Sequence, residues 1–348
     1  MATPTLLRRG VKLRKEAQLH SFHDFLFSNF HVPPRPFRYF RKLNLEFTDV
    51  GVVARNLDIL TDIFRHASHL QDLSMGCFER LLENGPETFE AMATLPNLTS
   101  LTVDLIGRHG AKYLRGTTSP ISNLIIGMIF RVKPIKLKHL GNIGATLTHL
   151  EIDCEGFKIA PSDLVFDHLR TLKIRASPTR YLASSWIFGP FPQLKHLILV
   201  KYNSETRSLA QVEEGHQRSL AELSRFNGPT PHLDVLVGDP LTFHRLSFFC
   251  PARALFLDRF CEERSLVLPR IIAKSQPYLL RIVLDAHDMP LNYFKPFCDD
   301  ISGIASLKEL WLRLNFEKGL DTKSKSLLVC VSHPSPNSTV SPPSLCVL

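Results

Sequence analysis

Long apolar runs are missing from this 348-residue chain. The longest, Leu124 to Phe130, is seven residues even with Gly127 counted, against the ~20 that a bilayer-crossing helix needs, so no membrane span is expected. The basic start (Arg8, Arg9, Lys12, Arg14, Lys15) is not followed by an apolar segment with a small-residue cleavage site. No secretory signal is read there, and the expected location is cytoplasmic and/or nuclear. Cysteine is scarce and unpatterned: seven residues, an odd number, with no C-x-x-C pair, which predicts free thiols rather than a disulfide framework. The fifteen histidines contain no H-E-x-x-H and no Cys/His ligand spacing, so neither a metal nor another cofactor is expected. Walker A, G-x-S-x-G and a glycine-rich strand-to-helix turn are also missing, and the sequence points away from an enzyme.

What is present is ample material for a core. Apolar residues make up 44 % of the chain, and at roughly 150 residues per domain the length suggests about two domains. The formal charge of +9 is spread over the chain, with basic clusters at Arg8 to Lys15 and at Arg131, Lys133, Lys136 and Lys138. Aromatics interleaved for base stacking do not accompany them, so a basic scaffold contacting nucleic acid or phosphate ligands is the alternative reading rather than the first.

One short phrase organises the sequence: an apolar residue, two variable ones, an apolar residue, one variable, an apolar residue. Clear copies are Leu98/Leu101/Val103, Leu147/Leu150/Ile152, Leu169/Leu172/Ile174, Leu194/Leu197/Leu199, Leu279/Ile282/Leu284 and Leu307/Leu310/Leu312. Weaker ones begin at Phe40, Leu70, Ile121, Leu233 and Ala252, and most successive copies start 22 to 30 residues apart. The closing x-L-x-L alternates with period two and suits a short strand with one face inward. The intervals between copies hold the dozen or more residues that a parallel crossover requires. Several intervals read as helices: Val52, Val53, Leu57, Leu60, Ile63 and Phe64 line one helical face, and Pro86 to Thr94 forms a shorter segment.

The expected fold is therefore an α/β solenoid, an irregular leucine-rich-repeat horseshoe with a parallel sheet on the concave face and helices and loops on the convex face. Residues 1–34 are read as an N-terminal helical cap. Residues 35–320 are read as the solenoid, with about eleven strands and an inserted helix near 206–226. The Ser- and Pro-rich residues 321–348 are read as a disordered tail.

The strings Leu7-Arg-Arg-Gly-Val-Lys-Leu13 and Leu19-His-Ser-Phe-His-Asp-Phe25 resemble the segment that follows the F-box in fungal F-box/leucine-rich-repeat proteins. Phe226-Asn-Gly-Pro, Leu233-Asp-Val-Leu-Val-Gly-Asp-Pro240 and Ala252-Arg-Ala-Leu-Phe-Leu257 are similar to the C-terminal half of that group. The resemblance implies the substrate-recognition half of a ubiquitin-ligase subunit, with an unidentified protein as target. No L-P-x-E-L-type F-box precedes Leu6, so a Skp-type adaptor is an expected partner only if an F-box lies upstream.

On a concave sheet the residues flanking the second and third apolar positions point outward and form columns. Those expected to contact a protein are His149, Glu151, Asp153, Lys173, Arg175, His196, Arg281, Trp311 and Arg313, a mixture of charge, Arg and Trp typical of interface hot spots. Two alternatives stay open. The acidic and basic rungs can neutralise one another across the sheet, and Trp311 can pack as a cap under the C-terminal segment.

Overall fold

A computed structural model describes residues 2–28, 36–47, 49–104, 106–127, 136–153, 164–176, 187–201, 209–225, 228, 231–248, 250–260, 267–285, 304, 306–316, 325–332 and 345–347. They fall into two compact units. Unit 1 is Met1–Leu169 with Ile174–Thr179, and unit 2 is Arg170–Lys173 with Arg180–Leu348.

Unit 1 carries strands β1 (Val11–Leu13), β2 (Lys42–Leu45), β3 (Asp72–Met75), β4 (Ser100–Val103), β5 (Asn123–Ile126) and β6 (His149–Asp153). They lie side by side in chain order, and every pairing is parallel. Around them run α1 (Ala2–Arg9), α2 (Glu16–Ser28), α3 (Val50–Arg55), α4 (Leu57–His66), α5 (Phe78–Asn84), α6 (Pro86–Ala93), α7 (Arg108–Gly116) and two 3-10 segments, Pro36–Tyr39 and Leu137–Ile143. Strand β7 (Thr171–Ala176) is divided, its residues through Lys173 grouping with unit 2 and those from Ile174 with unit 1.

Unit 2 carries β8 (His196–Lys201), β9 (Leu233–Gly238), β10 (Ala252–Phe260), β11 (Leu279–Asp285) and β12 (Glu309–Phe316), again in chain order and parallel. Its helices are α8 (Leu209–Leu223), α9 (Pro240–Arg245) and α10 (Leu268–Ser275). Each unit is thus built on an open parallel sheet with helices or 3-10 turns in most of the described intervals between strands, a solenoid-like α/β arrangement.

The phrase explains the packing. Leu43, Leu73, Leu101, Leu124 and Leu150 are direct cross-strand neighbours, and none is more than 1 % exposed. Leu45, Met75, Val103, Ile126 and Ile152 form a second buried row beside them. Unit 2 repeats the arrangement with Leu197, Leu236, Leu255, Leu280 and Leu310. At ~1.5–3 kcal/mol for each fully buried Leu, these rows dominate the favourable side of folding. The backbone adds a second ladder at the entry to the strands. The carbonyl of Gln71 accepts from the N–H groups of Thr99 and Ser100, that of Thr99 from Ser122 and Asn123, and that of Ser122 from Thr148 and His149. In unit 2 the carbonyls of Arg170, Lys195 and Tyr278 each accept two N–H groups from the following repeat in the same way. One carbonyl therefore holds each new strand in register before its own ladder begins.

A side chain also joins repeats. The Glu79 carboxylate on α5 accepts the N–H groups of Gly107 (2.6 Å), His109 (2.7 Å) and Gly110 (2.8 Å), satisfying donors that the first turn of α7 leaves unpaired.

Three expectations require correction. Residues 1–34 are not purely helical, because Val11–Leu13 is a strand paired with β2. Three residues hold too little of the repeat phrase to be read alone, and the strand is defined by its partner. The single helix expected from Val52 to Phe64 is two, separated at Asn56, whose side-chain amide donates to the Val52 carbonyl (2.7 Å) and to Glu16 Oε1 (2.8 Å). An amide with such competing partners favours a break over a continuous turn. The tail expected to lack structure contains β13 (Lys325–Ser332) and β14 (Leu345–Val347), antiparallel to β12 and β13 respectively. The run Leu327-Leu-Val-Cys-Val331 supplies an apolar segment with β-branched residues, and the outer edge of β12 supplies unpaired backbone groups for it to meet.

Two outcomes follow for unit 1. Leu101→Ala should lower stability in urea by about 3 kcal/mol, whereas Ser74→Ala on the other face should change it by less than ~0.5 kcal/mol. Tyr113 is fully buried against the edges of the Phe78 and Phe89 rings, and burial pushes its phenol up to about 12. The folded state therefore keeps this proton longer than the unfolded chain. Stability should be intact below pH ~10 and fall by about 3 kcal/mol as pH rises through about 12, readable from urea midpoints with Tyr113→Phe as the insensitive control.

Candidate functional site

Period two turns every second strand residue away from the buried rows, and most of these residues are half-exposed or exposed among the described strands, Ala254 being a buried exception. They form an open face in each unit, and the two faces differ in chemistry.

In unit 1 the open rows read Lys42, Asp72, Ser100, Asn123, His149 and Asn44, Ser74, Thr102, Ile125, Glu151. Small hydroxyl and amide groups prevail, and some bond sideways, as Asn123 Nδ2 does to Ser100 Oγ at 3.2 Å. Charges are largely paired at the first strands. Lys12 contacts Glu46, Arg14 reaches the same carboxylate at 3.0 Å, and Lys42 meets Asp72 at 3.6 Å. The hydrogen bond from Lys12 holds the Glu46 carboxyl below the usual carboxylate range.

Of the residues expected to bind, His149 and Glu151 lie half-buried on β6. Asp153 ends that strand, and its side chain lies outside the described residues. Arg175 on β7 forms an ion pair with Glu151 at 3.2 Å. This acidic-basic pair therefore neutralises itself across the sheet, the alternative left open above. Lys173, in the unit 2 portion of β7, is half-exposed.

Unit 2 is different. Register places Ile198, Val237, Phe256, Arg281 and Trp311 in one continuous row over five strands, with His196, Val235, Ala254, Leu279 and Glu309 in the row beside it. At ~4.8 Å per strand the first row extends about 19 Å. Three half-exposed apolar side chains lead to a cation flanked by two aromatic rings on the neighbouring strands. Trp311 remains 38 % exposed although β13 pairs with β12 beside it, so the C-terminal strand does not bury it as a cap. Arg313 follows one rung on, opposite Val283, and its Nε is buried with no hydrogen-bond partner among the described residues. His196 shares a 3.2 Å contact between its Nδ1 and Thr171 Oγ1. The structure thus brings His196, Arg281, Trp311 and Arg313 onto one face with Ile198 and Val237, and adds the aromatic Phe256. Phe256 escaped the sequence reading because Ala252 starts a weak copy of the phrase.

Side chains able to ligate a metal are grouped elsewhere in unit 2. Among the described residues one group qualifies, Glu213, His216 and His244, on α8 and α9 rather than on the strands. The group follows neither H-E-x-x-H nor a Cys/His ligand spacing, because His244 comes from a second helix. The available signal was the Glu213-x-x-His216 spacing, which puts both side chains on one side of a helix. No helix among the described residues is long and apolar enough to cross a membrane. No family model matches the chain, and no curated protein matches it.

The geometry separates structural from exposed roles. Arg175→Ala removes a partly solvated ion pair and should lower stability by about 1 kcal/mol or less. Trp311→Ala should leave unit 2 folded by circular dichroism, and unfolding would mean that Trp311 is a structural element.

Proposed function

We propose that the chain is a non-catalytic protein-interaction module of the leucine-rich-repeat type, whose parallel sheet presents its open side to a partner. The observation that carries this reading is the row Ile198, Val237, Phe256, Arg281, Trp311, an apolar strip ending in Arg and Trp whose side chains stay half-exposed or exposed. Apolar area that a chain of this composition could have buried is left in contact with water, and Arg and Trp combine wide contact area with directional polar groups. The partner strip that fits is apolar over three strands, with a carboxylate placed to meet Arg281 and an aliphatic or aromatic group for Trp311.

The likeness of the Leu7–Leu13 and Leu233–Pro240 strings to F-box/leucine-rich-repeat proteins makes the substrate-recognition half of a ubiquitin-ligase subunit the biological form of this role. Contact with a Skp-type adaptor belongs to that role only where an F-box is supplied upstream. Against the nucleic-acid alternative, part of the basic charge near the N-terminus is already engaged: Lys12 and Arg14 share Glu46, and Arg8 lies over the Tyr39 ring, while Arg9 and Lys15 are exposed. Arg131 and Lys133 of the second basic cluster lie outside the described residues.

Affinity capture from native extract with the full chain tests the reading. A protein partner is expected whose recovery falls about tenfold with either Trp311→Ala or Arg281→Ala while both variants remain folded. Recovery of RNA or DNA alone, falling steeply with added salt, would overturn it in favour of the basic scaffold.

A further inference from the structure

Helices α8 and α9 meet through a buried polar cluster that the interaction face does not use. Glu213 and His216 stand one turn apart on α8, and His244 comes from α9. The two helices approach closely at Gly215, where a Cβ would come within 2.4 Å of Arg245 Cγ. Helix α9 is itself firmly placed. Asp239 caps it, with Oδ2 accepting the Thr242 N–H and hydroxyl at 2.9 Å each, and Phe243 is fully buried beneath it. His216 is 6 % exposed and His244 1 %, with their rings stacked at 4.1 Å and 22° apart.

The hydrogen bonds fix what each ring offers. His216 Nδ1 lies 2.8 Å from the His244 carbonyl, which only a donor can satisfy, and the Ser247 hydroxyl 2.9 Å away can turn its own proton to the His216 carbonyl at 3.2 Å. With the proton on Nδ1, the lone pair of His216 is on Nε2. This backbone-anchored tautomer is the arrangement that metal-ligating histidines use. His244 places Nε2 3.0 Å from Glu213 Oε2, and its Nδ1 is buried without a hydrogen-bond partner among the described residues. Nδ1 points away from Glu213, so the nitrogen that His244 can share with Glu213 on one ion is Nε2, and the ring proton then resides on Nδ1. Ser247 does not make this a hydrolytic site, because it is 0 % exposed and its hydroxyl reaches no substrate.

We propose that Glu213, His216 and His244 form a binding site for a divalent transition-metal ion of the Zn²⁺ class, the two imidazoles and one carboxylate providing three ligands and water the fourth. One donor atom from each residue lies within 4.8 Å of the other two. Ligands of a tetrahedral ion with bonds of ~2.0 Å stand about 3.3 Å apart, so binding draws the three together by turning the Glu213 carboxylate and fanning the rings out of their stack. The Glu213 side chain is 49 % exposed, and the movement gives up the hydrogen bond that its Oε1 accepts from Gln217 Nε2 at 2.8 Å; the same exposure opens a route by which an ion enters from water. Two imidazoles with a carboxylate suit Zn²⁺ and its neighbours rather than Mg²⁺ or Ca²⁺, which prefer oxygen alone. Glu213 also supplies the negative charge in a neighbourhood where Arg270 adds a positive field at His216. Removing that charge without changing the size of the side chain is therefore the sharpest perturbation.

The full chain, stripped with chelator, would be titrated with Zn²⁺ alone by calorimetry and by thermal melting, beside Glu213→Gln. Saturable binding of one ion per chain, a melting temperature raised by Zn²⁺, and an affinity at least about tenfold weaker in a folded Glu213→Gln support the site. Equal affinity in the two proteins, or no saturable binding by the wild type, overturns it. Should Glu213→Gln fail to fold, Co²⁺ titration of the wild type decides. The strong visible bands of four-coordinate Co²⁺ support the site, and the weak spectrum of six-coordinate ion overturns it.

Discussion

No repeat in this chain can bury its own leucines. Each strand contributes two or three apolar side chains on one face, and their nearest apolar neighbours are the same positions one strand away. A single strand-plus-helix segment would leave Leu101 or Leu150 in water and gain nothing to offset the entropy of ordering its backbone. Stacking in register satisfies these side chains, and the same register allows the carbonyl of Gln71, Thr99 or Ser122 to gather two N–H groups from the next repeat. Side chains and backbone therefore demand one and the same spacing, and the loops between strands are free to vary in length and form so long as they return the chain to it.

That constraint explains why the two open faces can diverge. The inward positions are fixed by packing, whereas the outward ones are held in place without being specified. Unit 1 fills half of them with Ser, Thr and Asn and most of the rest with charged or imidazole side chains, and some of these bond along the sheet, as Asn123 does to Ser100. Unit 2 fills them with Ile198, Val237, Phe256 and Trp311, which leave apolar surface open to water. A polar face costs the folded chain little, and an apolar one is retained against a continuing pressure to be covered. In the proposed interaction role recognition therefore rests on unit 2, and the Arg175–Glu151 ion pair of unit 1 joins neighbouring strands.

The repeat phrase made most of the strands legible because alternation and spacing are properties of the sequence itself. Leu98-x-x-Leu101-x-Val103 states both the strand and its buried side. The open-face residues came with it, since whatever lies between two inward positions must point outward. Legibility ended where structure depends on contacts between distant segments. Val11–Leu13 is a strand because Leu43 to Leu45 lies beside it, and Lys325–Ser332 is one because β12 leaves an edge unpaired. Asn56 divides a helix through a bond to Glu16, forty residues away in sequence. The meeting of His216 with His244 depends on how closely two helices approach, and that distance is set by the hydrogen atom that Gly215 has in place of a side chain.

One interruption in the buried rows of unit 2 has a further meaning. Between Leu199 and Leu257 the row holds Gly238, where a Cβ would meet the Leu199 carbonyl oxygen and the Phe243 ring at 2.8 Å each. The ring of Phe243 occupies the space that a leucine fills elsewhere. Gly238 and Phe243 belong to one repeat, so this fit travels with β9. What it fixes is the start of α9: without a Cβ at Gly238 the Phe243 ring lies directly against the backbone of β9, and the helix that carries His244 is pinned to the end of its own strand.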